Sequence, residues 1–411
     1  YLPNLAASVN NHAVRLAGVG RRVEALAVSQ EAVDLYRELA AGNRDAYLPN
    51  LAMSVSNHAL WLAGVGRRGE ALAVSQEAVD LYRELAVGNR DAYLPDLAAS
   101  VNNHAAGLAG VGRRAEALAA SQEAVDLRRE LAVGNRDAYL PDLAASVNNH
   151  ANQLAGVGRR AEALAAGQEA VDLRRELAAG NRDAYLPDLA ASVNNHANQL
   201  AEVGRRAEAV AASQEAVDLY RELAAGNRDA YLPDLAASVN NHAAGLAEVG
   251  RRAEALAASQ EAVDLRRELA AGNRDAYLPN LATSVNNHAL RLAEVGRRAE
   301  ALAASQEAVD LRRELAAGNR DAYLPNLATS LWNVGYVACI LGETSDQILD
   351  AVAEGVRYFD ELAATEPQAF TARRDAAAST LTDLKNSAIS QHPKLTPPRS
   401  PQADEAATDT A

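Results

Sequence analysis

Apolar residues recur along this chain in a pattern that predicts pairs of amphipathic helices. Leu5, Val9, Leu16 and Val19, with a histidine completing the stripe, follow alternating steps of four and three residues. Such steps place side chains on one face of an α-helix. A second apolar stripe of Ala, Val and Leu runs from residue 25 to residue 39. Gly20 lies between the two stripes, so the pattern predicts a helix–turn–helix hairpin.

Proline and glycine suggest where these helices begin and end. Pro3 is tolerated in the first turn of a helix, since its missing N–H would be unpaired there. Gly42 follows the second stripe and suits a C-terminal cap, because glycine takes a positive φ without penalty. Residues 43–46 are then predicted to link one hairpin to the next.

The hairpin repeats with a period of 46 residues. The segment Tyr-Leu-Pro-(Asn/Asp)-Leu-Ala begins at Tyr1, Tyr47, Tyr93, Tyr139, Tyr185, Tyr231, Tyr277 and Tyr323. A fixed period of roughly 20–50 residues indicates stacked supersecondary units. We therefore predict an all-α fold, an α-solenoid of stacked antiparallel helix hairpins. The eight repeats are expected at 1–46, 47–92, 93–138, 139–184, 185–230, 231–276, 277–322 and 323–364.

The C-terminal part of the chain departs from the repeat after Ser330. Residues 365–390 can form one more helix, which we predict to be a cap, because solenoids need a polar-faced terminal element. Residues 391–411 are rich in Pro, Ser, Thr and acidic residues and are predicted to be disordered.

Composition narrows the classes of function. The net charge of −14 disfavours binding to nucleic acid and to anionic membranes. No apolar run approaches the ~18 residues that would span a bilayer. Cys339 is the single cysteine, which excludes an intramolecular disulfide. The chain begins at Tyr1 within the pattern, so we expect a fragment that has lost an N-terminal part, with the cytoplasm as its default location.

The repeat unit resembles the tetratricopeptide repeat (TPR). In the third copy Val101, His104, Ala105 and Leu108 stand at the motif's Trp, Leu, Gly and Tyr, Gly112 at its turn, Ala117 and Ala124 at its small packing positions, and Ser121 at its Phe. The longer unit with an Asn-Asn pair is similar to kinesin-light-chain-like repeats and to long bacterial repeats. The resemblance covers roughly residues 1–365. It implies a right-handed superhelix whose first helices line a concave groove that holds extended peptides.

Asparagines recur on the face of the first helix that lies opposite the buried stripe. The candidate groove residues, with one tryptophan, are Asn10, Asn11, Asn57, Trp61, Asn102, Asn103, Asn148, Asn149, Asn152, Asn194, Asn195, Asn198, Asn240, Asn241, Asn286 and Asn287. A side-chain amide donates and accepts at once, so it can pair with a peptide's backbone C=O and N–H. Asparagine is an indifferent helix former, so helix propensity does not explain these pairs. The alternative is that the amides solvate the inner face or bond to neighbouring turns.

Two positions that follow each repeated His-Ala differ between copies. They are Val14-Arg15, Leu60-Trp61, Ala106-Gly107, Asn152-Gln153, Asn198-Gln199, Ala244-Gly245 and Leu290-Arg291. The series is apolar, then polar, then mixed, which suits a peptide of graded character; drift at exposed sites is the alternative. Trp61, if exposed, is the best hot-spot candidate, because Trp and Arg dominate interface energetics.

A histidine occupies the apolar stripe in seven copies. These are His12, His58, His104, His150, His196, His242 and His288. Stacked helices lie about 8–10 Å apart, too far for consecutive histidines to share an ion at ~2.0–2.1 Å. We predict no metal site, and instead neutral, hydrogen-bonded core histidines, with an Asn amide as a candidate partner. Burial of such a group lowers its pKa, so stability should fall on acidification.

Other motifs do not indicate catalysis. The Arg pairs at the inter-helix turns, from residues 21–22 to 297–298, are expected to offset nearby carboxylates such as Glu24. The serines stand on predicted helices, with neither a strand-to-helix elbow nor a Gly-rich oxyanion loop. No phosphate-cradling loop or metalloprotease helix is present in the sequence. Cys339 is expected to be a small core residue and not a nucleophile.

These observations together predict a protein–protein interaction scaffold that binds a peptide or partner domain in the groove. The alternative is a sensor or oligomerisation arm of a larger bacterial signalling protein whose effector domain is absent. We expect no enzymatic activity, no cofactor, no metal, and no nucleic-acid or membrane partner. Weak self-association through the N-terminal repeat is expected, because its apolar edge has no preceding neighbour.

Overall fold

A computed structural model describes residues 1–389, so the tail predicted to be disordered at 391–411 lies outside the described residues. The chain divides into two compact units, Tyr1–Val203 and the part that begins at Gly204. Each unit is described by itself below.

The unit Tyr1–Val203 consists of nine helices. They are α1 (Leu2–Gly18), α2 (Arg22–Gly42), α3 (Arg44–Gly64), α4 (Arg68–Gly88), α5 (Arg90–Gly110), α6 (Arg114–Gly134), α7 (Arg136–Gly156), α8 (Arg160–Gly180) and α9 (Arg182–Glu202). Each helix packs against the next along the chain. Odd-numbered helices are the first helices of the hairpins and even-numbered helices are the second.

The described part of the second unit consists of eight helices. They are α10 (Arg206–Gly226), α11 (Arg228–Glu248), α12 (Arg252–Gly272), α13 (Arg274–Glu294), α14 (Arg298–Gly318), α15 (Arg320–Leu341), α16 (Asp346–Thr365) and α17 (Pro367–Ile389). Successive helices again pack in order, and no strand occurs within residues 1–389. The predicted all-α solenoid of stacked helix hairpins is confirmed.

Alanine and valine let these helices approach closely. Ala117, Ala124 and Val125 of α6 are at most 1 % exposed, and the equivalent residues of α8 are buried to the same extent. Because these side chains are short, the helix backbones approach each other closely, and each interface is thin and closely packed. Burial of many small apolar groups, and not one large core, stabilises each unit.

The turn within each hairpin agrees with the sequence, whereas the link between hairpins does not. Gly20 has a φ of 81°, which favours glycine. Gly42 is helical and does not take a positive φ, so its predicted capping role is wrong. Asn43 instead caps the next helix, its side-chain oxygen accepting a hydrogen bond from the Ala46 N–H at 3.2 Å. Residues 44–46 are therefore the first turn of a helix and not a link, and Pro49 lies inside that helix.

The C-terminal helices differ from the repeats in their packing. α17 overlaps the segment 365–390, for which the sequence predicts a cap, and it packs against α15 and α16. The Trp332 indole N–H donates to the Thr380 hydroxyl at 2.9 Å. Its ring meets Phe359 edge to face, with ring centroids 6.3 Å apart. Trp332 stands where the preceding repeat has Asn286, so an aromatic ring replaces a side-chain amide at this position.

Candidate partner-binding surface

First and second helices form two different surfaces within each unit. Exposed ion pairs with a 40-residue offset join second helices to one another, as Arg83 to Glu123 at 2.9 Å, and join the start of a first helix to the following second helix, as Arg90 to Glu130 at 2.7 Å. Both partners of each pair stay largely in water, so each pair contributes little. This surface is therefore largely occupied by contacts within the protein.

The first helices expose one stripe of each helix. On α7 this stripe contains Asp142, Ala145, Asn149 and Asn152, whose spacings of three, seven and ten residues place them on one side of a helix. All four are exposed or half-buried. We call these positions, with their equivalents in the other first helices, the first-helix face.

Asparagine amides connect neighbouring first helices along this face. The Nδ2 atom of Asn149 donates to Oδ1 of Asn102 at 3.3 Å. The same bond joins Asn195 to Asn148 at 3.4 Å, Asn287 to Asn240 at 3.2 Å and Asn333 to Asn286 at 3.0 Å. Each amide has two N–H donors and an oxygen with two lone pairs, so these bonds leave capacity for a ligand. The amides therefore bond to one another, on neighbouring first helices and not on turns.

Exposure divides the candidate groove residues into three sets. The exposed ones are Asn11, Asn149, Asn152 and Asn198. The half-buried ones are Asn57, Trp61, Asn102, Asn103, Asn148, Asn194, Asn195, Asn240, Asn241 and Asn287. Asn10 and Asn286 are buried, contrary to expectation.

Contacts with the following repeat explain the two buried asparagines. Asn10 accepts a hydrogen bond from the Ser54 hydroxyl at 3.3 Å, and Asn286 accepts one from Asn333 at 3.0 Å. A ligand reaching either amide would have to displace these neighbours, so we remove both residues from the candidate surface. Asn333 was missed because the eighth copy diverges, although its 46-residue distance from Asn287 was a usable signal.

An apolar patch lies at the N-terminal end of the first-helix face. Val14, Met53 and Leu60 are all more than 40 % exposed, although they are large hydrophobic residues. Trp61 beside them is half-buried, and its indole nitrogen is buried without a hydrogen-bond partner among the described residues. Trp61 is therefore not the freely exposed anchor that the sequence suggested. Met53 was missed because most other copies have alanine there.

Within the unit Tyr1–Val203, three neighbouring first helices each carry an aspartate as the first residue of the first-helix face. Asp142 is bonded by the buried Arg128 at 2.7 Å, and Asp188 by the buried Arg174 at 2.5 Å. Burial is the main cause that lowers the pKa of both guanidinium groups, and the carboxylates oppose it. Asp96 occupies the equivalent place on α5. The sequence analysis did not single out this row.

The buried histidines bond to serine hydroxyls and not to asparagine amides. Nδ1 of His150 lies 2.8 Å from Oγ of Ser121, which itself donates to the Leu118 carbonyl at 2.9 Å. Since the hydroxyl proton is used there, we assign the imidazole tautomer in which Nδ1–H donates to the serine oxygen. This arrangement does not activate the serine as a nucleophile, because the histidine presents a proton to it. The Ser–His contact recurs with His58, His104, His242 and His288 at 2.7–2.8 Å.

Burial lowers the pKa of each of these imidazoles, and nearby arginines lower it further. Carboxylates near each ring act in the opposite direction. His12 is exposed instead of buried, and no helix within residues 1–389 covers its side of α1. At the interface of His196 the serine is replaced by Gly167, and the buried Gln199 amide fills the space that a Cβ would occupy.

Other chemistry-bearing groups are sparse. Among residues 1–389, no three His, Cys, Asp or Glu side chains are grouped as metal ligands would be. Burial raises the pKa of the Cys339 thiol to about 11, which makes it a poor nucleophile. No helix in the same range has the length and apolar content to cross a membrane.

Comparison with known proteins identifies the fold and nothing finer. No protein-family model and no curated protein matches the sequence. The crystal structure of the apo form of RapI is similar over 95 % of this chain and 100 % of its own, with 11 % identity and a TM-score of 0.60. BtubC from P. vanneervenii has 18 % identity over 60 % of this chain and 90 % of its own, with a TM-score of 0.48.

A tetratricopeptide repeat protein from Parabacteroides merdae has 12 % identity over 74 % of this chain and 93 % of its own, with a TM-score of 0.41. Identities this low bear on the fold alone. The stacked helix hairpins, with a glycine turn in each, make this a repeat fold of the TPR type.

Proposed function

We propose that the protein is a non-catalytic interaction scaffold that binds an extended peptide or partner segment along its first-helix face. The observation that carries the proposal is the row of amides, whose exposed members include Asn149, Asn152 and Asn198. The second-helix surface is largely occupied by ion pairs, whereas the first-helix face retains unused hydrogen-bonding groups.

The amide row suits a peptide backbone in particular. An extended strand presents N–H and C=O groups alternately, and a side-chain amide can satisfy both kinds. Bonds such as Asn195 to Asn148 already restrict the rotamers of these side chains, so binding loses less conformational entropy. The apolar patch at the N-terminal end adds a place for a hydrophobic side chain. We infer graded recognition, apolar at the patch and polar beyond it.

The proposal is tested by comparing the proteins captured from source lysate by two variants of the chain. In the face variant Asn148, Asn149, Asn194 and Asn195 are changed to Ala. In the control variant Gln122 and Gln168 of the second-helix surface are changed to Ala. We expect the face variant to lose partners that the control and the unmodified chain retain. Identical captured sets from all three, with matching circular dichroism spectra, would refute binding at this face.

We also propose weak self-association through the first hairpin. Leu5 is 49 % exposed, while its equivalents Leu51 and Leu97 are at most 5 % exposed under the preceding second helix. Val19 and Val23 of the same hairpin are 72 % and 75 % exposed. Sedimentation velocity should show a concentration-dependent increase in sedimentation coefficient that Leu5→Glu abolishes. A coefficient that is independent of concentration would contradict the proposal.

A further inference from the structure

The carboxylates on the first-helix face of Tyr1–Val203 are not equally satisfied. Arg128 lies between Asp96 and Asp142 and bonds to Asp142, while only its longer-range charge reaches Asp96. Arg174 likewise bonds to Asp188 and acts on Asp142 only through its charge. Each arginine is therefore paired with the aspartate that follows it in the sequence. Asp96, the first aspartate of the row, has no paired arginine.

Asp96 is left without a bonded cation because of the residue that precedes it. The place taken by an arginine before Asp142 and Asp188 is taken by Tyr82 before Asp96. Among the described residues, none forms a hydrogen bond or ion pair with the Asp96 carboxylate. Asp96 is exposed, and desolvation by its immediate surroundings still raises the pKa of its carboxyl, with the charge of Arg128 acting in the opposite direction. A cation supplied from outside would stabilise its charged form.

The residues around Asp96 indicate which other groups a ligand bound at this carboxylate should carry. Asn103 lies seven residues further along the same helix, on the first-helix face, with an amide for backbone contacts. On the neighbouring first helix α3, Met53, Leu60 and Trp61 provide the apolar patch. Met53 and Asp96 stand six and three residues after the first tyrosine of their repeats, so they differ by about one helical turn in position along their helices.

We propose that the first-helix face of Tyr1–Val203 selects an extended segment that places a basic side chain at Asp96 and an apolar side chain at the patch of Met53 and Leu60. The inference rests on the proposed function and adds the chemistry of the partner. The charge on the face matches it, since Asp96 lacks a cation while Asp142 and Asp188 already have one. An acidic segment would meet the same carboxylate unfavourably.

The test uses the full chain and a phage-displayed library of random dodecapeptides. The library is selected in parallel on the unmodified chain, on Asp96→Asn and on a control, Asp80→Asn. Asp80 lies on the second-helix surface of α4, so its substitution changes net charge equally without touching the first-helix face. Circular dichroism melting checks that all three proteins are folded. Peptides recovered from the unmodified chain are then labelled, and their affinities for all three proteins are measured by fluorescence anisotropy.

We expect peptides that combine Arg or Lys with a large apolar side chain, with enrichment of the basic residue retained on Asp80→Asn and lost on Asp96→Asn. A charge-assisted contact of this kind should make binding to Asp96→Asn about tenfold weaker. Bound peptides without a basic preference, or with one unchanged in Asp96→Asn, would overturn this inference while leaving a peptide-binding face intact. If the unmodified chain selects no peptide, both the inference and the proposed function fail.

Discussion

Acidification should destabilise the repeats through their buried imidazoles. In the unit Tyr1–Val203, burial lowers the pKa of His58, His104 and His150 below its unfolded value. The unfolded chain therefore binds more protons than the folded chain once the pH falls through about 6.5. Stability contributed by these groups is fully present above that pH and is lost below it. Neighbouring carboxylates such as Glu116 have a lowered pKa, so their contribution is lost only at more acidic pH.

The size of this effect has an upper limit that follows from the unfolded chain alone. A group that stays neutral in the folded state loses about 1.4 kcal/mol for each pH unit below its unfolded pKa. Between about pH 7.5 and about pH 5.5 this amounts to about 1.4 kcal/mol per histidine. Three such histidines in one unit give a ceiling of about 4 kcal/mol, a large share of a typical domain stability.

The assay compares His104→Leu with the unmodified chain in urea unfolding, followed by circular dichroism at both pH values. The substitution removes one titrating group, and Ser75 keeps its hydrogen bond to the Leu72 carbonyl. We expect the pH-dependent loss of stability to shrink by up to about 1.4 kcal/mol. Leu108→Ala is the control, because it removes a buried apolar side chain of the same helix and no titrating group, and should lower stability equally at both pH values.

Two results would refute this reasoning. One is an equal loss of stability on acidification in His104→Leu and in the unmodified chain. The other is an unfolding midpoint that does not fall in the unmodified chain between the two pH values. Repeat arrays need not unfold in a single step, so midpoints of each transition should be compared individually.

Three further substitutions, one of them with a matched control, test the packing of the repeats by the free energy of unfolding. Gly112→Ala should destabilise by about 1–2 kcal/mol, because φ is positive there, whereas Gly110→Ala, in a helix with open space, should be neutral or stabilising; equal effects would contradict this. Ser121→Ala should destabilise by about 1–3 kcal/mol by leaving a buried imidazole N–H unpaired, and an unchanged midpoint would count against the serine contact. Thr380→Val should destabilise by a similar amount and increase proteolysis of α17, since the Trp332 N–H loses its acceptor; resistance equal to the unmodified chain would contradict this.

Helix number and period were predictable from the sequence, whereas helix starts were not. The apolar stripe specifies a helix because its spacing matches the helical period, and eight copies in phase remove ambiguity. The Gly42-Asn43 pair carries two competing signals, a C-terminal cap and an N-terminal cap. In the structure the Asn43 side chain caps the following helix. Pro49 therefore lies inside that helix, whereas the sequence rules place proline in a first turn.

The sequence predicted which side of the first helices forms the candidate surface, but not which residues on that side are accessible. Periodicity indicates which side of a first helix points away from the core, and the exposed Asn149 and Asn152 agree with it. Which amides are covered depends on side chains of the neighbouring repeat. Ser54, for example, covers Asn10 and donates a hydrogen bond to it. The Ser121–His150 contact has a 29-residue offset between helices, which no spacing rule within one helix reveals.

The constant offsets between bonded residues also bear on how an array of this kind can change in length. Arg83 bonds to Glu123 and Arg129 to Glu169, so excision of one whole period within Tyr1–Val203 would join an arginine to an equivalent glutamate. Gly167 and Gln199 cannot be separated in this way. A helix with serine in place of Gly167, brought opposite Gln199, would force the Gln199 amide outward. Gain or loss of whole periods in the gene is therefore sterically permitted, provided that these two residues are inherited together.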